Sequence, residues 1–337
     1  MRKIYFVLFF CLLVGGVIGF AASPALYLHS PYSHKIVRFP AAENFRPSPY
    51  PNFLKAVTYN IGYASGEKNN LPVKWSEAEI KVNLDRIAEE LRKLNPDIIG
   101  LQEVDFDSSR THRINQFEYL AKALQMPYGA YAITWNKRYL PWPYWPPSIQ
   151  YGRMVSGQAI LSRYPIEHQM VLEFSKPAEN PFWYNWFYLD RVAEKVRIRV
   201  GYQVIYVWNV HLEAFKAATR LNQISLLAEW VQLEANPYKW VLGDFNSISH
   251  VKENLPESLK KNLEDKGEAI EKFQQSTHLK NAEANSGFLS MPSWDPIKKI
   301  DHIFYNPEGW VELASGNVAG VNASDHLPVW SILKMQK

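Results

Sequence analysis

From Phe53 onward, short apolar runs of strand length alternate with stretches of helical period, and most runs stop at an acid, an amide or a histidine. That pattern restricts the fold more than any other feature, because a sheet whose strands end together presents converging side chains on one rim. Leu54 to Tyr59 is strand-like and ends at Asn60. Ile98 to Leu101 runs into Gln102-Glu103, and Val204 to Val210 ends at His211. Trp240 to Leu242 leads into Gly243-Asp244-Phe245-Asn246. Asp301 precedes Ile303 to Tyr305, and Ser324-Asp325-His326 precedes Val329 to Leu333. Ala159 to Leu161 and Val192 to Val200 are further strands, the latter forming a hairpin with Val204 to Val210 around Gly201-Tyr202-Gln203.

The helices are equally legible. Ser76 to Leu94 opens on a capping box, Ser76 with Glu79, and then repeats Ile80, Leu84, Ile87, Leu91 and Leu94 at three- and four-residue spacing. Asn95-Pro96 stops it. Ala217 to Leu233 is a second helix, with Leu221, Ile224, Ala228 and Val231 on one face. Residues 252–285 are polar and charged and read as a surface helix-and-loop excursion. Many strands with a few helices outside them point to an α/β sandwich of mixed sheets. No long linker divides residues 53–337, so they are expected to form one domain.

Residues 1–25 read as a targeting segment. Arg2 and Lys3 precede an uncharged run from Ile4 to Phe20, and small residues follow at Ala21, Ala22 and Ser23. A cleaved signal peptide and a retained membrane anchor both fit this pattern, and both imply export to a periplasmic or extracellular location. Residues 26–52, rich in proline and aromatics, read as a tether. The only cysteine, Cys11, lies in the apolar run, so the rest of the chain holds neither a disulfide nor a thiolate metal site. Any metal must be bound by oxygen and imidazole. With 37 basic and 33 acidic residues the charges nearly cancel, which is unlike the basic footprint of a dedicated nucleic-acid binder.

Singly, each strand-end residue is an ordinary turn or surface residue. Together they are three carboxylates, two amides and two histidines in one recurring context, with a further aspartate at Asp301. Such oxygen-rich sets suit magnesium, manganese or calcium, and a divalent ion beside histidines suits phosphoryl chemistry. Asp244 and Asn246, two apart, would point the same way on extended backbone.

The ordered series Tyr59-Asn60, Gln102-Glu103, Asn209-Val210-His211-Leu212, Gly243-Asp244-Phe245-Asn246, Ile300-Asp301-His302-Ile303 and Ser324-Asp325-His326 resembles the endonuclease/exonuclease/phosphatase superfamily. Gly157 to Ile166 resembles a further segment of it, and the likeness covers about residues 53–335. Each motif is weak alone, but six in order are specific. The resemblance implies a four-layer α/β/β/α sandwich of two mixed sheets with outer helices. It also implies roles. Glu103 would be the principal ligand of a divalent metal, most naturally magnesium, with Asn60 and Asp325 nearby. Asp244 would orient or deprotonate the attacking water, and Asn246 would hold that water or the phosphate. His211 and His326 would bind the scissile phosphate, with Asp301 fixing the tautomer of His326. One ion and two ions are both compatible with the pattern. Some nucleases of the family carry an acid two residues after the first-strand asparagine; here that position is Gly62. No acidic partner of His211 is evident in the sequence.

Arg191, in Leu189-Asp190-Arg191-Val192 at a strand start, is a candidate for the substrate phosphate, and Arg220 a weaker one. Two aromatic clusters, Trp135 to Tyr151 and Phe182 to Tyr188, would suit a membrane interface, stacked bases or packing against the sandwich. The expected function is hydrolysis of a phosphodiester, lipid-linked for preference. An extracytoplasmic nuclease and a catalytically silent binding module on the same fold are the alternatives.

Overall fold

The computed structural model describes residues 2–25, 34–43, 48, 51–69, 71–258, 263, 267–283, 287–320 and 322–336. Two sheets lie face to face. The first has seven strands in the order β1 (His34–Arg38), β4 (Tyr128–Leu140), β5 (Gly152–Ser162), β3 (Ile98–Asp105), β2 (Phe53–Asn60), β15 (Val329–Met335) and β14 (Trp310–Asn317). The second has six, in the order β11 (Lys280–Asn281), β13 (Asp301–Tyr305), β9 (Lys239–Asp244), β8 (Gln203–His211), β7 (Arg191–Val200) and β6 (Ile166–Phe174). Each sheet is antiparallel except for one central parallel pair, β2 with β3 and β8 with β9. A short pair, β10 (His250–Val251) with β12 (Lys298–Lys299), stands apart.

Alternation along the strands decides which side chain enters which layer. In β2, Leu54 and Ala56 face the second sheet, while Val57 and Tyr59 face the helix α2 (Glu77–Leu94). In β8, Ile205 and Val207 face the first sheet, while Trp208 and Val210 face the helix α5 (Ala217–Gln232). The result is the α/β/β/α sandwich that the resemblance implied. The capping box of α2 is present, with Ser76 Oγ accepting from Glu79 N, and Ile80, Leu84, Ile87 and Leu91 are fully buried beneath it.

Two expectations change. The segment 26–52 is not wholly a tether, because His34–Arg38 pairs antiparallel with Tyr128–Ala132 as the edge of the first sheet. Within the excursion 252–285, the helix Glu268–Thr277 buries Ile270 and Phe273 against α5. Its charged face dominates the sequence and masks that apolar stripe.

Polar side chains join the sheets close to the functional rim. Gln102 Nε2 donates to Asn209 Oδ1 at 2.6 Å across the sandwich, and Asn209 Nδ2 donates to the carbonyls of Leu101 and Ala159 at 3.1 Å. Glu194 is fully buried in this layer and accepts from Gln169 Nε2 at 2.7 Å. Burial pushes its carboxyl up to about 8, against hydrogen bonds from Gln169, Gln158 and Asn209. Glu194 Oε2 has no hydrogen-bond partner, which a neutral carboxyl tolerates better than a carboxylate does. A carboxyl raised above its unfolded value contributes its stability below about pH 4.5 and loses it as pH climbs through 8. Glu194→Gln is therefore expected to melt close to wild type at pH 5. It should gain on wild type as pH rises to 9, by on the order of a few kcal/mol. A melting difference that stays flat from pH 5 to 9 would show that Glu194 is not held neutral.

Candidate active site

The parallel pairs bring the strand-end residues onto one rim. Asn60 ends β2 beside Gln102, and His211 ends β8 directly opposite Asp244 at the end of β9. β13 runs antiparallel to β9, so its first residue, Asp301, also faces Asp244. Asp325 and His326 lie in the turn that enters β15, whose neighbour is β2. Ser324 Oγ donates to the Asn60 carbonyl at 2.7 Å and accepts from His326 N at 3.2 Å, so this turn is tied to the end of β2.

Asn60, Glu103, His211, Asp244, Asp301, Asp325 and His326 come together. Asn60 Nδ2 donates to Asp244 Oδ2 at 3.0 Å and to Glu103 Oε1 at 3.3 Å. His211 Nε2 lies 3.4 Å from Asp244 Oδ2 and 3.9 Å from Glu103 Oε1. Asp244 is thus a carboxylate beside His211, approaching its Nε2 without a hydrogen bond. His326 Nδ1 is 2.9 Å from Asp301 Oδ2, and its Nε2 is 3.9 Å from Asp244 Oδ2. Glu103 has φ 53°, at a register break between Leu101 and Val104. The left-handed backbone is unusual for glutamate and is the kind of strain stored at functional sites.

The Asp244–Asn246 pair differs from expectation. Asn246 has φ 49°, so the two do not lie on one extended strand. Instead Asn246 N donates to Asp244 Oδ1 at 2.9 Å, and Asn246 Nδ2 donates to the Leu212 carbonyl at 3.0 Å. Asn246 therefore braces Asp244 and the loop after His211. Arg220 turns back in the same way, donating to the carbonyls of Glu213 and Ala214.

Asn69 went unrecognised in the sequence because no strand precedes it. Its Nδ2 donates to Glu103 Oε2 at 3.0 Å and to Asp325 Oδ1 at 3.1 Å, lying between the two carboxylates. A Cβ on Gly62, at φ +49°, would come within 3.0 Å of Asn69 Nδ2, Asp325 Oδ1 and Ser324 Oγ. A side chain at position 62 would push these three groups aside by a few tenths of an ångström on a backbone that disfavours any Cβ, and the amide of Asn69 occupies that corner.

Electrostatics follow from the crowding. Burial and Asp325 push the Glu103 carboxyl up, partly offset by His326. Burial and Asp301 push Asp244 up in the same way. Burial opposes a charge on His326, but Asp301, Asp244 and Asp325 outweigh it and raise the imidazole to about 10. Burial, Arg191 and His326 together drive His211 well below its usual value, so it is neutral. Arg191 is buried, and its Nε and Nη1 have no hydrogen-bond partner.

The donor chemistry fits a divalent cation. Four carboxylates, Glu103, Asp244, Asp301 and Asp325, act on one another and on the His326 imidazolium, while the Arg191 guanidinium acts on His211. The excess is negative and the ligands are oxygens, as hard cations require. Two placements compete. Asp244, Asp301 and His326 bring one ligand atom each within 4.8 Å of one another. An ion there would lie against the His326 imidazolium, whose positive charge repels it. Between Glu103 and Asp325 it would displace only the hydrogen bonds of one amide, so this second position is favoured.

Three solved structures place the fold. A protein of the endonuclease/exonuclease/phosphatase group from Beutenbergia cavernae DSM 12333 superposes with TM-score 0.60 at 20% identity, over 85% of this chain and 72% of that one. The human Nocturnin catalytic domain with bound sulfate superposes with TM-score 0.56 at 18% identity, over 90% and 98%. The mannosyl-6-phosphatase of Bacteroides thetaiotaomicron VPI-5482 superposes with TM-score 0.56 at 16% identity, over 84% and 100%. No curated protein matches the chain by sequence. The family model of the endonuclease/exonuclease/phosphatase proteins matches residues 57–326, a span that contains every strand-end residue of the site from Asn60 to His326. The chain belongs to the endonuclease/exonuclease/phosphatase family, whose members hydrolyse phosphoesters.

Proposed function

We propose that the chain is an exported, divalent-metal-dependent phosphodiesterase that hydrolyses a lipid or lipid-linked phosphodiester by in-line attack of water. The observation that carries the hydrolytic reading is the constellation itself: His326 with Nδ1 held by Asp301 and Nε2 turned toward Asp244, beside the Glu103–Asp325 pair. Glu103 and Asp325, with Asn60 and Asn69 adjoining, would hold a divalent ion, which when bound would neutralise the phosphate charge.

The other steps belong to side chains. Asp244 Oδ2, fixed by Asn60 Nδ2, would accept a proton from the water as its oxygen bonds to phosphorus; the opposite P–O ester bond breaks, and the leaving alkoxide takes a proton from solvent. The His326 imidazolium directs Nε2–H at a phosphate oxygen and stabilises charge as it develops, while Asp301 fixes its ring. Neutral His211 offers a second hydrogen bond, and Arg191 offers a desolvated guanidinium.

Arg191 gives a test independent of turnover. Inorganic phosphate or sulfate should raise the melting temperature of wild type by pairing with its partnerless nitrogens. Arg191→Met should melt no lower than wild type without the anion and gain at least several-fold less from adding it. An equal gain in both proteins would place the anion elsewhere.

Near-neutral overall charge favours a lipid over a nucleic acid. The substrate class is tested with phosphodiesters of each kind: sphingomyelin and phosphatidylinositol in vesicles, and single- and double-stranded DNA and RNA. Turnover confined to the vesicle substrates supports the reading. Turnover confined to nucleic acid, falling steeply with salt, would replace it with a nuclease.

A further inference from the structure

The helix α1 (Arg2–Ala22) lies outside the sandwich. Its apolar window Tyr5–Ala22 has none of its residues buried. At 21 residues it is about 30 Å long, the thickness of a bilayer core. Its end is nonetheless pinned to the domain. The Ser23 carbonyl accepts from Arg138 N at 2.8 Å, and Ser23 Oγ accepts from Arg138 Nε at 2.9 Å. Ala25 N donates to Asn136 Oδ1 at 2.7 Å, and the Ala25 carbonyl accepts from Arg153 Nη1 at 3.0 Å.

The topology says which end of the domain this is. β3 carries Glu103 near its C-terminal end, β5 runs antiparallel to β3, and β4 antiparallel to β5. The C-terminal end of β4, where Asn136 and Arg138 hold the helix, therefore lies at the same end of the first sheet as Glu103. In the second sheet, β7 begins at Arg191 and is antiparallel to β8, which ends at His211. The connection between β6 and β7 is thus also at the catalytic end.

Both aromatic clusters sit on these two connections. After β4, Trp142, Tyr144 and Trp145 are exposed, Trp145 at 79%. Between β6 and β7, the helix α4 (Phe182–Phe187) exposes Phe182, Trp183 and Trp186. Trp135 joins the two groups, its Nε1 donating to the Phe187 carbonyl at 2.7 Å. Phe215, 79% exposed, follows His211 and borders a cavity of about 300 Å³ shared with Tyr184, Tyr188 and Lys216. Packing against the sandwich accounts for Trp135, Tyr151 and Phe187, but not for these exposed rings.

We propose that α1 is retained as a membrane anchor and that the two aromatic connections form an interfacial platform, seating the catalytic mouth on the bilayer that holds the helix. Tryptophan and tyrosine favour this interface, and Arg2 and Lys3 favour the cytoplasmic side for the N-terminus, leaving the domain outside. Seated this way, the site meets phosphates at headgroup depth. That part rests on the hydrolytic reading; the seating itself does not.

The test uses the full chain with Cys11→Ala, reconstituted in phosphatidylcholine vesicles. An environment-sensitive fluorophore is attached to Trp145→Cys or Trp183→Cys, with Tyr202→Cys as control. Tyr202 is exposed in the β7–β8 turn, at the end of the domain away from the site. Labels at 145 and 183 should shift to shorter wavelength on reconstitution, and the label at 202 should not. Labels at 145 and 183 that stay as water-like as that at 202, or an equal shift at all three, would overturn the proposal. In a second arm, Trp142→Ala/Trp145→Ala/Trp183→Ala should turn over a vesicle-borne phosphodiester at least tenfold more slowly and soluble bis(p-nitrophenyl) phosphate at the wild-type rate. An equal rate on vesicles contradicts the platform. If wild type leaves both substrates intact while the labels shift as expected, the hydrolytic reading fails and the seating stands.

Discussion

Replacing His326 by alanine is expected to slow phosphodiester hydrolysis by about a thousandfold, the usual loss when a buried donor aimed at developing charge is removed. The fold should survive. His326 is near the rim rather than in an apolar cluster, and its backbone N–H is held by Ser324 Oγ. Asp301→Ala should cost less, about a hundredfold, because it acts through the ring it orients at 2.9 Å. The two changes should not add. Once His326 is gone, Asp301 has no ring to hold, and the double variant should match His326→Ala within a factor of about three. Steady-state rates on a soluble diester measure all three. Multiplicative losses would mean that the two residues act separately.

The second large effect concerns Glu103, and it has opposite signs in two measurements. Glu103→Gln should weaken manganese binding by at least about tenfold, read by calorimetry, and remove most turnover. Yet it should raise the melting temperature in EDTA above that of wild type under the same conditions. Glu103 is pushed up by burial and by Asp325, so neutralising it relieves a repulsion that a bound cation otherwise offsets. Manganese should then stabilise wild type far more than the variant. Asn69→Leu should weaken binding in the same direction, since its amide lies at 3.0 and 3.1 Å from the two carboxylates. A Glu103→Gln protein that binds manganese as wild type does would move the ion to the Asp244–Asp301–His326 cluster.

Much of this was legible in the sequence because one physical rule governs both fold and site. Period-two alternation places strands in layers, and strands that stop together bring their last residues together. Asn60, His211 and Asp244 were read in this way, and α2 was read from its cap and stripe. What escaped is whatever depends on contacts distant in the chain. Asn69 lies on a loop without period, and only the folded turn sets it between Glu103 and Asp325. The left-handed backbone of Asn246 breaks the extended geometry that its two-residue spacing from Asp244 suggests. The strand His34–Arg38 was hidden among prolines and aromatics, because an edge strand needs only one partner. Phe273 was hidden by the charges on the other face of its helix.

The cluster is proposed as a metal-dependent phosphoester hydrolase site. The most direct measurement is the release of p-nitrophenol from bis(p-nitrophenyl) phosphate by the full chain. It is made in EDTA and then with magnesium, manganese or calcium, for wild type, Glu103→Ala and His326→Ala. The expected result is turnover by wild type with at least one of the ions, none in EDTA, and a loss of about a thousandfold in both variants. Turnover that persists in EDTA, or that either variant retains at the wild-type rate, would contradict it.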